Sequence, residues 1–161
     1  YSYDGAEASF ELFIMRELAK VPNYFKLQSF QVINEFKDLK DNLKANNTAK
    51  ANVVVKVKKE YFSNSVGNGP VNALDNALRS VLIKSYPTLK KMNLIDYKVR
   101  ILTPDEGTKA ITRVIIESSD ENKNNWSTVG VSSNVINASY IALKDSITYK
   151  LIKSKIKPAL N

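Results

Sequence analysis

Cysteine and histidine are both absent from this 161-residue chain. Without thiols there is no disulfide framework, no thiolate nucleophile and no zinc ribbon. Without imidazole the commonest general base and metal ligand is missing, and with it any Ser-His-Asp triad. Only Asp, Glu, Lys and Tyr remain to move protons, so catalysis by this chain alone is disfavoured. No apolar run approaches the ~20 residues that a membrane-spanning helix needs. Nor does a charged segment lead into an apolar stretch and a small-residue cleavage site, so no signal peptide is visible. The lack of cysteine fits a cytoplasmic protein, and an opening at Tyr1 instead of Met suggests a piece of a longer one.

What is present describes a folded domain. Apolar residues make up 43% and charged residues 25%, a globular balance rather than a disordered one. The length suits one ordinary domain, or one with a short appendage. Twenty-four basic against 16 acidic residues give a formal charge of +8 and a pI near 9.5, which raises the question of nucleic acid. The lysines are dispersed, however: Lys37, Lys40, Lys44, Lys50, Lys56, Lys58 and Lys59 mix with Asp38, Asp41 and Glu60. The dense run Lys150, Lys153, Lys155 and Lys157 closes a helix, where cations suit the dipole and reach water. Solvated surface is the preferred reading, with a basic α+β nucleic-acid module as an alternative.

Periodicity orders the chain. Residues 6–20 read as a helix, with Asp4 or Gly5 near its start and Pro22 beyond its end. Phe10, Phe13, Ile14 and Leu18 form one stripe with Leu12 and Met15 off it, so the helix calls for more than one neighbour. Part of that partner is expected in sequence outside this chain, or else the helix packs on the rest of the domain. Phe30, Val32 and Phe36 then alternate with polar residues, a half-buried strand. A polar stretch, 37–47, reads as the longest loop. Val53, Val55 and Val57 make a second strand and residues 61–65 a third. Pro70 sits at a first helical position, and Val71, Leu74, Ala77, Leu78, Val81 and Leu82 follow at helical spacing until Pro87.

The same order recurs. Ile95, Tyr97, Val99 and Ile101 alternate with charged residues, Pro104, Asp105 and Gly107 mark a turn, and residues 114–116 and 126–131 supply two more strands. Asn134 can cap a helix striped by Ile136, Tyr140, Leu143, Ile147 and Leu151. Val71-Asn72-Ala73 corresponds to Ile136-Asn137-Ala138 at an offset of 65 residues, as do Tyr61 to Trp126 and Val32 to Tyr97. The expected fold is therefore α+β: two pseudo-symmetric βββα units, 26–90 and 91–157, packed together after an N-terminal helix. Units of ~65 residues are too small to be comfortable alone, which favours pairing of units and of chains.

Gly67-Asn68-Gly69-Pro70 is the most informative local feature. Glycines before a helix let a ligand approach backbone N–H groups, a natural seat for a carboxylate or phosphate. No Gly-Lys-Ser/Thr follows, and the GxGxxG fingerprint is incomplete, so a plain strand-to-helix turn stays open as a reading. The strand from Leu94 to Ile101 could add an apolar wall, though core strand explains it equally. Asp75, Asp96 and Asp105-Glu106 form no metal-ligand spacing. Ser118-Ser119-Asp120 and Asn122 to Asn125 read as a polar hairpin turn.

These residues resemble a known family. Residues 5–12 (GAEASFEL), 67–79 (GNGPVNALDNALR), 95–100 (IDYKVR), 112–119 (TRVIIESS), 126–131, Asn137-Ala138-Ser139 and Asp145-Ser146-Ile147 are similar, in order, to the C-terminal part of the α-isopropylmalate synthases, closest to the citramalate synthase branch. The resemblance implies a non-catalytic regulatory and dimerisation domain, residues 26–161, behind a piece of linker subdomain, 1–25. The parent would be an acyltransferase whose TIM barrel, absent here, condenses acetyl-CoA with a 2-oxo acid using a divalent metal. This segment itself would need no cofactor. A homodimer is implied, with an end-product amino acid bound at its interface. Carried over by motif, Gly67, Asn68 and Gly69 would meet the effector's carboxylate, with Val71 and Asn72 lining the turn and Leu94, Tyr97 and Ile101 forming a side-chain pocket. Isoleucine is the favoured effector and leucine the alternative, since one displaced methyl is worth only ~1–3 kcal/mol. The second turn, Val131 to Asn134, lacks glycine, so two unequal sites are expected. No nucleic acid or membrane partner is expected.

Overall fold

The computed structural model describes residues 5–35, 48–103, 107 and 110–159. Asp4, Phe36, the expected 37–47 loop, Pro104 and Asp105-Glu106 lie outside the described residues. The chain divides into two compact units, one formed by residues 23–87 with 158–161, the other by 88–157 with 1–22.

In the first unit, β1 (Lys26–Glu35), β2 (Thr48–Lys56) and β3 (Glu60–Gly67) form an antiparallel sheet in that order, followed by α2 (Pro70–Ser85). Ala49, Ala51, Val53 and Val55 alternate along β2 and are fully buried, which is the period-2 pattern of a sheet covered on one face. Against β2 and β3 packs the stripe Leu74, Ala77, Leu78, Val81 and Leu82, the spacing expected of it. Residues Pro87–Lys91 form a 3₁₀ turn that no apolar period announces. The Tyr86 hydroxyl donates to the Tyr24 carbonyl at 2.6 Å and accepts from the Ala159 N–H at 3.0 Å. One buried phenol thus ties both ends of this unit together.

The second unit repeats the plan with β4 (Asn93–Ile101), β5 (Thr112–Ser119), β6 (Asn125–Ser132) and α3 (Val135–Lys153). Val32 pairs with Ala51 and Tyr97 with Ile116, so the first two strands of each unit keep the 65-residue offset. Each opening strand also carries an irregularity near its start, between Leu27 and Ser29 and between Leu94 and Asp96. The second hairpins differ: Ala51 pairs with Ser65, but Ile116 pairs with Thr128, a slip of two residues. An even slip leaves every side chain on its own face, so the repeat tolerates it.

Pairing in the second hairpin also ends earlier, at Ser119 and Asn125, and leaves a five-residue turn, 120–124, against three residues, 57–59, in the first; Asp120 organises it. Its carboxylate accepts from the Asn122 and Asn124 N–H groups at 2.9 and 3.0 Å and from the Asn124 side-chain amide at 3.1 Å. The Asn124 amide leads the causes that hold its pKa down to about 2. Ser118, which reads from sequence as part of this turn, is instead buried in β5, where its hydroxyl meets Ser146 of α3 at 2.7 Å. The Trp126 indole also donates to Ser146, at 2.8 Å.

One contact goes beyond the sequence reading and one goes against it. Helix α1 (Glu7–Glu17) packs on α3 and β6, but through Ala8, Ser9 and Leu12, all buried. The stripe of Phe10, Phe13, Ile14 and Leu18 is 42–58% exposed. Small side chains allow the helix to approach closely, and Ser9 supplies polar partners that a large apolar residue cannot. Its Oγ donates to Asp145 at 3.0 Å and accepts from the Val129 N–H at 2.9 Å, capping an edge-strand donor of β6. Arg16 pairs with Asp145, and Glu11 accepts from Tyr149 and Lys153 at 3.0 and 2.8 Å. The Lys153 hydrogen bond leads the causes that lower the Glu11 pKa. Secondly, Lys150 is not solvated: it is 5% exposed and its ammonium lies 3.4 and 3.1 Å from Asp120 and Glu121. An ion pair replaces the water it gives up.

Candidate functional site at the start of the second helix

The two strand-to-helix junctions occupy equivalent places in the repeat but end differently. At α3, the Asn134 side chain accepts from the Ile136 and Asn137 N–H groups at 2.8 and 3.2 Å, and Ser132 Oγ accepts from the Asn134 N–H at 3.1 Å. This is a complete N-cap. At α2 the capping position is Gly69, extended at φ −166° and ψ 171°, with no side chain to offer. Pro70 contributes no N–H. The Asn72 amide turns back, its Oδ1 accepting from the Asn68 N–H at 3.2 Å. Among the described residues, the N–H groups of Val71 and Asn72 therefore find no acceptor. They correspond to Ile136 and Asn137, the donors that Asn134 satisfies.

The two glycines of this turn have different reasons to be there. A Cβ on Gly67 would overlap the Ala73 nitrogen and Asn72 Oδ1, so glycine lets β3 run directly into the helix start. Around Gly69 nothing lies within 4 Å of a Cβ position. Its extended backbone suits any residue, so folding does not demand glycine there. What glycine leaves at position 69 is open space beside unpaired donors at the positive end of a helix, which is favourable ground for a carboxylate.

Gly67, Asn68, Gly69, Val71 and Asn72 all lie in this one turn. Leu94, Tyr97 and Ile101 belong to β4 in the other unit. Leu94 pairs with Ser118, Tyr97 with Ile116 and Ile101 with Thr112, so the three share the sheet face that meets α3. The irregularity at Ile95 brings this about, because simple alternation would put Leu94 and Tyr97 on opposite faces. Leu94 and Tyr97 are half-buried, and the Tyr97 hydroxyl meets Ser139 Oγ of α3 at 3.0 Å. Ile101 is 55% exposed. Tyr97 and Trp126 are the aromatics that a nucleic-acid platform would display; both are engaged with α3 instead.

Several carboxylates elsewhere are internally matched. Asp75 in α2 is buried and pairs with Arg79; desolvation leads the causes and raises its pKa against the opposing pull of Arg79. Asp96 accepts from the Tyr97 N–H and pairs with Lys98 at 2.6 Å. A recess of about 430 Å³ beside Trp126 and Tyr149 is lined by Asp120, Glu121, Lys150 and Lys153, whose charges largely answer one another. Sequence reasoning missed the cluster of Ser9, Glu11, Arg16, Asp145, Tyr149 and Lys153 that fastens α1. Its partners stand more than 120 residues apart, and no local pattern joins them. No helix among the described residues is long and apolar enough to cross a membrane.

Comparison with known proteins gives a consistent outcome. The model of the LeuA allosteric (dimerisation) domain family matches residues 4–151. An (R)-citramalate synthase of Geobacter sulfurreducens is 48% identical over 157 residues, covering 96% of this chain and 29% of that protein. The Aquifex aeolicus (R)-citramalate synthase is 49% identical over 156 residues, with 96% and 29% covered. That of Streptomyces coelicolor is 46% identical over 161 residues, with 99% and 29% covered. The chain thus spans under a third of the length of these relatives.

Proposed function

Because the chain belongs to the LeuA allosteric (dimerisation) domain family, we propose that it is the amino-acid-sensing and dimerising part of a citramalate synthase. It takes up an end-product branched-chain amino acid, isoleucine before leucine, and so restrains condensation of acetyl-CoA with a 2-oxo acid in the catalytic barrel of the parent protein. The chain works as a homodimer. The observation that carries this reading is the uncapped start of α2. The effector's carboxylate accepts from the Val71 and Asn72 N–H groups and fills the space beside Gly69, with Gly67 and Asn68 shaping the turn. An effector regulates only if it favours one arrangement of the protein over another, and here it favours one in which the barrel is slow.

Thermal melts of the chain with isoleucine, leucine and valine test the reading. At one hundred times Kd a ligand adds about 2.7 kcal/mol, which at this size raises Tm by roughly 5–11 °C. Isoleucine is expected to give the largest shift. A larger shift with leucine would move the parent to the isopropylmalate synthases, and no shift with any of the three would refute the site. Light scattering is expected to return twice the 18.1 kDa chain mass.

A further inference from the structure

We propose that Asn68-Gly69 is a site of spontaneous backbone-assisted deamidation. The Gly69 amide nitrogen loses its proton and attacks the side-chain carbonyl carbon of Asn68, a new C–N bond forms, and ammonia leaves with the transferred proton. Water then opens the five-membered imide at one carbonyl or the other, leaving isoaspartate or aspartate at position 68. Water is the only co-reactant, and no electrons change hands.

Ring closure needs a nitrogen unhindered by a following side chain, an amide free to rotate, and access for water and base. Asn-Gly occurs once in the chain, at this position. Gly69 has no Cβ, and its surroundings on that side are open. Asn68 is exposed. Among the described residues, its side chain makes no hydrogen bond and the Gly69 N–H donates to none. Other asparagines fail at least one of these conditions. Asn64 and Asn52 are held in a cross-strand ladder, Asn64 donating to Asn52 at 2.6 Å and Asn52 to Gln31 at 3.2 Å. Asn134 is committed to its cap and Asn124 to Asp120, and each is followed by a residue with a side chain. The positive end of α2 adds a further bias, since it stabilises both the attacking nitrogen anion and the carboxylate that results.

The product changes the turn in two ways. A carboxylate now stands beside the unpaired N–H groups of Val71 and Asn72, and isoaspartate also inserts a methylene into the main chain. If the proposed function holds, both changes oppose entry of an amino-acid carboxylate, and the domain loses its sensor with age. This consequence rests on that reading; the chemistry at Asn68 does not.

The test is to age the chain in mildly alkaline buffer and follow its proteolytic peptides by mass spectrometry. The peptide holding Asn68 is expected to gain about 1 Da first, to become a substrate for isoaspartyl methyltransferase, and to do neither in an Asn68→Gln chain. If Asn68 stays intact while Asn122, Asn124 or Asn125 converts, the proposal is overturned. Melts with isoleucine on fresh and aged chains then read the consequence. Aged chain should bind at least about tenfold more weakly, whereas Asn68→Gln chain aged in parallel should keep whatever affinity it has when fresh. Equal binding by fresh and fully converted chain would overturn the loss of sensing. Failure of fresh chain to bind any of the amino acids would count against the proposed function and leave the mass result standing.

Discussion

The two βββα units arrive at the same geometry with opposite treatments of the strand-to-helix junction. In one, Asn134 supplies from the chain itself the acceptor that the first turn of α3 lacks. In the other, Gly69 offers no side-chain acceptor and Pro70 carries no N–H, so among the described residues two N–H groups in the first turn of α2 stay uncapped. The close-approach glycine differs as well. Gly67 lies at the end of β3 against the start of α2, whereas Gly130 lies inside β6, where a Cβ would overlap the Ala138 carbonyl. A duplicated unit can therefore be specialised by a few residues at one corner while sheet register and helix stripe stay as they are. A capped start serves stability, and an uncapped one costs a little stability and leaves donors exposed.

Several changes would break or sharpen this contrast. The largest effect should come from Gly130→Ala, which sets a methyl group against helix backbone that cannot turn aside; a loss of about 3 kcal/mol, seen in chemical denaturation, is expected. Ser9→Ala should follow at about 2 kcal/mol, because it leaves the Val129 N–H buried and unpaired and takes one donor from Asp145. Hydrogen exchange should then show the Val129 amide opening first. Asn134→Ala removes the cap of α3 and should cost about 1 kcal/mol, or roughly 3 °C in Tm. Its counterpart, Gly69→Asn, should alter stability by only a few tenths of a kcal/mol. It places in α2 the acceptor that α3 already has, so it should abolish the isoleucine-induced shift in Tm. Normal binding by that variant would show that the two junctions are not distinguished by capping.

The smallest effect should be a pH dependence confined to the second unit. The folded pKa of Asp120, about 2, lies below its ordinary value of 3.8. Its favourable contribution is therefore present above the ordinary value and fades as pH falls toward about 2. Asp120→Asn should flatten that acid limb in denaturation midpoints measured against pH, without changing the midpoint's response to isoleucine.

Much of this architecture is local enough to read in a sequence. Alternation in Val53, Val55 and Val57, helical spacing from Leu74 to Leu82, and Asn134 before an apolar stripe each depend on neighbours within a turn or a strand. The open helix start at Gly67 to Asn72 was legible for the same reason, since capping chemistry acts over three or four residues. The wall of Leu94, Tyr97 and Ile101 was named through family resemblance, and its common face depends on an irregularity at Ile95 that alternation does not reveal. The seating of α1 ran against its pattern. The apolar stripe of Phe10, Phe13, Ile14 and Leu18 carries the larger hydrophobic signal, but Ala8, Ser9 and Leu12 make the contact, because close approach and hydrogen bonding to Asp145 and Val129 decided it. Lys150 was misplaced likewise: its anionic partners sit in a hairpin some 30 residues earlier.

The attachment of α1 also bears on the order in which the chain is made. Ser9 precedes Val129 by 120 residues and Asp145 by 136. At typical elongation rates of about 5–20 residues per second, α1 waits roughly 7–27 s for the partners that hold it. Throughout that interval the small contact face of Ala8, Ser9 and Leu12 waits for its seat, and the polar side chains that will fasten the helix remain in water. An element synthesised before both sheets is thus among the last to be placed. The β6 edge donor at Val129 likewise stays open until that placement is complete.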